Sequence, residues 1–357
     1  MNPALRRPRL ISALAAIALV ASPGVLAAYA EDQCFSDADL AARPGEQKPV
    51  KGIHTYDAPQ AAHKLAAFTP VPQNLRGAIR RVKLPAGSKK LIALTFDLCE
   101  QPGEVAGYDG AIFDYLRAQG IKATFFTGGK WMRSHAARMQ QLMTDPLFEM
   151  GNHSEAHRNL RLLSGNGLSE EILGPQRAYE AARQGLAASQ CVAKFPGAMT
   201  RIPQRLGLFR FPFGACNAQS LDAVNGAGLL AIQWDLSTGD PSPAQSAAAI
   251  AKAMLTAKPG SILISHANGR GYHTGEALPL AIPALKAKGF EFVTVSELLA
   301  AGTPDVVSTC YDNRPGDSDK YDKLFPLRVN VPKTPEPPIP KSETDVPALK
   351  PNPAVPR

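Results

Sequence analysis

The apolar positions of the chain fall into short β-compatible runs separated by longer amphipathic stretches. Leu91-Ile92-Ala93-Leu94-Thr95-Phe96 is such a run, and it ends on Asp97. Over residues 110–119, Ile112, Phe113 and Leu116 recur at three-to-four spacing and Gly120 follows as a stop, which predicts a helix. Residues 121–126 read as the next strand and 130–143 as a helix. Farther along, 209–211, 229–236, 261–266 and 291–295 read as strands, and 218–225, 243–256, 276–288 and 296–301 as helices. Strands alternating with helices predict parallel β/α units, in a barrel or a doubly wound sheet. In both, ligand chemistry gathers at the carboxyl ends of the strands.

The regular region is flanked by irregular segments. Residues 31–88 are mixed and loop-rich, with Pro44, Pro49, Pro59, Pro70, Pro72 and Pro85. Residues 304–325 form a C-terminal extension, and 326–357 hold ten prolines with little apolar periodicity, the composition of a disordered or polyproline tail. At the other end, Arg6, Arg7 and Arg9 precede an apolar run over 11–21, and Ala28-Tyr29-Ala30 gives a small-x-small site before Glu31. That layout predicts a signal peptide over residues 1–30, with an uncleaved anchor as the alternative. The expectation is an exported protein, periplasmic or secreted, with no membrane span after cleavage.

Charge narrows the partners only slightly. The chain carries +8, and removing the three arginines ahead of Glu31 leaves +5. Such a balance permits contact with acidic envelope polymers. With no Lys/Arg cluster interleaved with aromatics, nucleic acid is not an expected partner. The five cysteines, Cys34, Cys99, Cys191, Cys216 and Cys310, all follow the cleavage site. In an oxidising compartment an odd number leaves at least one unpaired within the chain. Cys34 and Cys310 flank the regular region and are the pair expected to staple it. The absence of a C-x-x-C pair disfavours a cysteine zinc cluster.

Five blocks carry chemistry. Thr95-Phe96-Asp97 places a carboxylate at a strand end, as a metal ligand, a general base or a helix cap. In Gly151-Asn152-His153-Ser154-Glu155-Ala156-His157, two histidines four apart are expected on one helix face, where both imidazoles can meet one divalent ion. Arg210-Phe211-Pro212-Phe213-Gly214 delivers a guanidinium into a turn, suited to holding a carboxylate. Trp234-Asp235 with Asp240 forms the fourth block. The fifth, Ile262-Leu263-Ile264-Ser265-His266, is an apolar run ending in a candidate proton donor. Each block alone has a purely structural reading.

In this order, the wordings LTFD, IKATFF, GNHSEAH and FRFPFG resemble the polysaccharide deacetylase family (carbohydrate esterase family four) over roughly residues 90–300. The resemblance implies an α/β fold, a distorted (β/α) barrel, with a catalytic domain over 89–303. It implies hydrolysis of the N-acetyl amide of amino-sugar residues in an N-acetylated glycan, dependent on a divalent metal, zinc first with cobalt or nickel as alternatives. It further implies Asp97 as general base, held by Arg210, and His153 and His157 as metal ligands. His266 would be the general acid, paired with Asp240, and the Phe213 N–H an oxyanion donor. Trp234, Asn268 and Tyr272 are the expected sugar-contacting residues.

One departure matters. The family usually carries a second consecutive aspartate as a metal ligand, and here Leu98 follows Asp97. Asp109, flanked by Gly107 and Gly110 in an insertion, is the favoured replacement, and Glu100 is second. Cys99, Asp97 itself, or no third protein ligand remain open. Leu98 also motivates two other readings: a glycan-binding protein without catalysis, and a hydrolase of a small cyclic amide.

Overall fold

A computed structural model describes residues 34–57, 65 and 67–324. The expected signal peptide and proline-rich tail lie outside these residues. Seven parallel strands run in chain order: β1 Ala78–Lys83, β2 Lys90–Leu98, β3 Ala123–Thr127, β4 Phe148–Asn152, β5 Leu208–Phe209, β6 Leu230–Ile232 and β7 Ile262–His266. Their spatial order is β1-β6-β5-β4-β3-β2-β7. Thr303–Val307 adds antiparallel to β1, and Leu236–Ser237 adds to β7. Phe290–Phe292 pairs with the start of β2.

The two ends of this sheet meet. An Arg81–Ser261 bridge and the hydrogen bond from Val82 N to Gly260 O, 2.9 Å, join β1 to the start of β7. Gly260 has φ +85° there, and a Cβ on it would lie 1.8 Å from the Val82 carbonyl, so the seam needs glycine. The result is a curled, distorted (β/α) barrel.

Strand β2 shows how one sequence serves two environments. Ile92, Leu94, Phe96 and Leu98 pack in one cluster with Phe113, Trp131 and Leu285 of the covering helices. Leu91 and Ala93 face a second cluster with Ile79, Ile232 and Ile264 in the barrel interior. Side chains alternate faces along a strand, so the odd-numbered residues from Leu91 onward point inward.

The expected elements are largely present, with shifted bounds. The stretch over 130–143 is two helices, Gly129–Ser134 and Ala136–Thr144, broken at His135. The expected strand over 229–236 stops at Ile232 before Leu236–Ser237, and the helix expected from 243 begins at Ala247. Three elements carried no clear pattern. Helix Gly165–Ala187 contains Pro175 and buries Glu171, Gln176 and Arg177, which blurs an apolar stripe. Strands Ala78–Lys83 and Thr303–Val307 lie outside the expected 89–303 bounds, yet both belong to the central sheet. The first is charged in its middle, with Arg80 and Arg81.

The expected Cys34–Cys310 staple is corrected. Cys34 pairs with Cys191 and Cys216 with Cys310, leaving Cys99 free and buried. Each bridge ties an extension to a different wall of the barrel, not the two extensions to each other. Within the N-terminal extension, Arg138 donates to the Glu46 carboxylate at 2.7 Å and to the carbonyls of Asp39, Leu40 and Ala41. Among the described residues, no helix is long and apolar enough to cross a membrane.

Candidate active site

Asp97, His153, Arg210 and His266 all stand at the carboxyl ends of barrel strands, as parallel β/α architecture favours. Asp97 is buried, and Arg210 Nη1 donates to its Oδ1 at 2.9 Å. The guanidinium also donates to the carbonyls of Ile232, at 3.4 Å, and Gln233, at 3.3 Å. It lies 4.0 Å from the centroid of the Phe126 ring. Burial opposes charge on Asp97 most strongly, but the charges of His153, Arg210 and His266 outweigh it and hold the carboxyl below its ordinary range.

The two histidines are not on a helix, a correction to the sequence reading. Strand β4 ends at Asn152, whose side-chain oxygen accepts from Ser154 N at 3.0 Å. Ser154 (φ 64°) and His157 (φ 53°) then occupy the left-handed region. This loop folds the rings to a centroid distance of 5.0 Å, doing what helical spacing was expected to do. His153 Nδ1 donates to the Arg210 carbonyl at 2.9 Å, which fixes the tautomer and leaves Nε2 as the acceptor. Burial lowers the His153 pKa and puts that of His157 well below its ordinary value. His153 Nε2 and His157 Nδ1 are buried without a hydrogen-bond partner, and Nε2 lies 3.3 Å from Asp97 Oδ2. Two acceptors facing each other this closely favour a cation beside them.

His266 faces this group from β7, whose register pairs it with Asp97 on β2. Its Nδ1 donates to Asp240 Oδ1 at 3.0 Å, and its backbone N–H donates to Oδ2 at 2.7 Å. Thr274 Oγ1 also donates to Oδ2, at 2.6 Å. Burial works against the imidazolium, but Asp240 and then Asp97 prevail and raise the His266 pKa. In the loop beyond, Tyr272 is half exposed, whereas Asn268 is fully buried. Asn268 Nδ2 donates to the Cys99 carbonyl at 2.7 Å and reaches Cys99 Sγ at 3.2 Å. Asn268 therefore supports a neighbouring residue and presents no surface to a sugar.

The expected third ligands lie elsewhere. Glu100 Oε2 accepts from Ala106 N at 3.0 Å and Ser134 Oγ at 2.6 Å, and Oε1 lies 3.2 Å from Lys130 Nζ. It ties β2 to the covering helix. Asp109 sits at the start of helix Gly110–Ala118, with Oδ2 beside Gly275, and burial followed by Glu276 raises its pKa. Among the described residues, one group of at least three His, Cys, Asp or Glu has its ligand atoms mutually within 4.8 Å: Cys99, His153 and His157. Burial pushes the Cys99 thiol up to about 12.

The sequence reading gave the C-terminal extension no role, yet it forms a wall of the site. Trp234 Nε1 donates to Asp312 Oδ1 at 2.9 Å, and Arg80 donates to the Asp312 carbonyl at 2.8 Å. Phe213 has φ 61° within the Pro212–Gly214 turn, its ring edge-on to His157 at 4.6 Å and stacked on Tyr321 at 5.0 Å. The Cys216–Cys310 bridge anchors this segment. The available signal was Cys310 itself, whose partner spacing does not disclose.

Residues 85–232 match the family model described as polysaccharide deacetylase. Over these residues the chain is similar to that family. The peptidoglycan-N-acetylglucosamine deacetylase PgdA of Listeria monocytogenes is 28% identical over 221 residues, 61% of this chain and 41% of that protein. The chain thus spans less than half of that relative's length. A chitooligosaccharide deacetylase of Azorhizobium caulinodans is 27% identical over 211 residues, 56% of this chain and 90% of that one. A solved peptidoglycan N-acetylglucosamine deacetylase superposes with TM-score 0.51 and 23% identity, covering 62% of this chain and 92% of its own, which places the fold. A mutant of a pseudoenzyme of carbohydrate esterase family four superposes with TM-score 0.50 and 25% identity, covering 63% and 71%.

Proposed function

We propose that the polysaccharide deacetylase domain of this chain is an active hydrolase that removes N-acetyl groups from amino-sugar residues of an envelope glycan. The observation that carries this reading is the pair of oppositely tuned dyads. The Asp97–Arg210 pair favours the ionised carboxylate, and the His266–Asp240 pair favours the protonated imidazole, from adjacent strands at one barrel mouth. A base and an acid held in these states are what amide hydrolysis needs.

His153 and His157 offer buried, unsatisfied nitrogens suited to a divalent ion of the zinc, cobalt or nickel kind. Such an ion, when bound, supplies Lewis acidity toward the acetyl carbonyl and toward water. Asp97 then takes a proton from the attacking water while Arg210 fixes its orientation. His266 gives its proton to the departing sugar nitrogen, without which the amine is a poor leaving group. Asp240 and Thr274 hold the donor in place. The Phe213 backbone N–H, at the tight turn beside His157, is suited to the developing oxyanion. Each positioned acid or base is worth roughly 10²- to 10⁴-fold in rate.

The test is acetate release from N-acetylglucosamine oligomers and peptidoglycan fragments by the purified chain, with and without chelator. Metal-restored release is expected. Absence of release from every substrate, with binding of the same glycans intact, would establish the alternative that Leu98 raises, a glycan-binding protein of this fold.

A further inference from the structure

Resting on the proposed metal-dependent reading, we infer that Cys99 is the third protein ligand of the ion, giving a mixed thiolate and bis-imidazole site.

The first argument is strand geometry. Position 98 holds the residue from which a carboxylate would be expected, but Leu98 points outward into the core shared with the helices. Alternation returns the next residue to the face of Asp97. Cys99, at 3% exposure, therefore aims into the barrel mouth, and its Sγ joins the two histidine nitrogens within 4.8 Å. Glu100 alternates outward again and is consumed by Lys130, Ser134 and Ala106.

The second argument is the histidine pair beside the thiol. His153 Nε2 and His157 Nδ1 are buried acceptors without partners. A cysteine kept only for packing would not need a nitrogen from each of two histidines within 4.8 Å of its sulfur. The third is the support behind it: fully buried Asn268 holds the Cys99 carbonyl and directs its amide toward Sγ. An amide donor aimed at sulfur stabilises and orients a thiolate, the usual work of an outer-sphere partner. The four other cysteines are spent in disulfides, so this sulfur alone is available.

The chemistry selects the metal. Thiolate with two imidazoles suits the borderline-soft ions zinc and cobalt and disfavours magnesium, calcium or manganese. On binding, the thiol proton leaves to solvent as the sulfur–metal bond forms.

Cobalt(II) titration of the metal-stripped, disulfide-intact chain tests this. The parent should bind one equivalent with a near-ultraviolet thiolate-to-cobalt charge-transfer band. The zinc form should show one Zn–S distance of about 2.3 Å beside Zn–N distances of about 2.0–2.1 Å by X-ray absorption. Cys99→Ser should abolish the band and weaken binding, whereas Cys99→Asp should retain binding without the band. Asn268→Ala should keep the band and weaken binding by roughly 10- to 100-fold. One equivalent bound with nitrogen and oxygen ligands only would overturn the Cys99 assignment and leave the deacetylase reading standing. No stoichiometric binding by a folded parent would overturn both.

Discussion

Replacing Arg210 with Met tests the electrostatic core of the site. The guanidinium is fully buried, and its removal takes from the buried Asp97 carboxylate its hydrogen-bonded cationic partner, leaving His153 and His266 beside it. Breaking a buried pair from one side costs about 3–5 kcal/mol, because the remaining charge has lost both water and partner. On the usual scale for domains of this size, that is roughly 6–20 °C in melting temperature. The cost should depend on pH in a defined sense. In the parent, the depressed Asp97 pKa contributes stability that is present above the ordinary aspartate value of about 3.9 and lost as pH falls through the folded value. In Arg210→Met the folded pKa rises above that of the unfolded chain, so the deficit is full at neutral pH and shrinks as acid protonates Asp97. Urea unfolding of the metal-free protein, followed by tryptophan fluorescence and far-ultraviolet circular dichroism at pH 5 and pH 8, measures this once the two probes coincide. The double variant Asp97→Asn/Arg210→Met should recover much of the loss, because its buried group is neutral. Equal stability of the single and double variants at pH 8, or a single-variant loss below about 1 kcal/mol, would refute the reasoning, since such a value is ordinary for a surface pair.

Three further outcomes follow from other parts of the site. His266 serves as an acid only while protonated. Its pKa is raised by Asp240 against burial, so turnover should fall as pH rises through that value, and Asp240→Asn should move the alkaline limb to lower pH and reduce kcat; an unmoved limb argues against the dyad. Replacing Cys216 and Cys310 together by Ser opens a bridge spanning 94 residues and should cost about 2–5 kcal/mol in thermal or urea unfolding, with an unchanged midpoint as the contrary result. Tyr321→Ala removes the ring stacked on Phe213 and should raise KM for glycan roughly 2- to 10-fold, the worth of an aromatic pair, with kcat little changed; an unaltered KM would remove Tyr321 from the binding wall.

What the sequence disclosed, and what it hid, divides along physical lines. Strand ends were legible because an apolar run must stop where the chain meets solvent or a site, and Asp97 and His266 mark two such stops. Their partners were legible only through the order of the blocks, since nothing local to Arg210 says that it reaches 113 residues back to Asp97. The histidine loop was misread because i,i+4 spacing is also compatible with two left-handed residues in a turn, a geometry that leaves no periodic trace. The third ligand was sought by residue type and loop freedom, which favoured Asp109 and Glu100. Extending the β2 alternation by one residue gives a different ranking. Positions 92, 94, 96 and 98 are apolar and outward, so 99 must share the face of 97, and 100 must not. Period two, applied past the nominal end of the strand, was thus the stronger constraint: it is set by backbone geometry, whereas a flexible loop still has to be given a reason to swing inward.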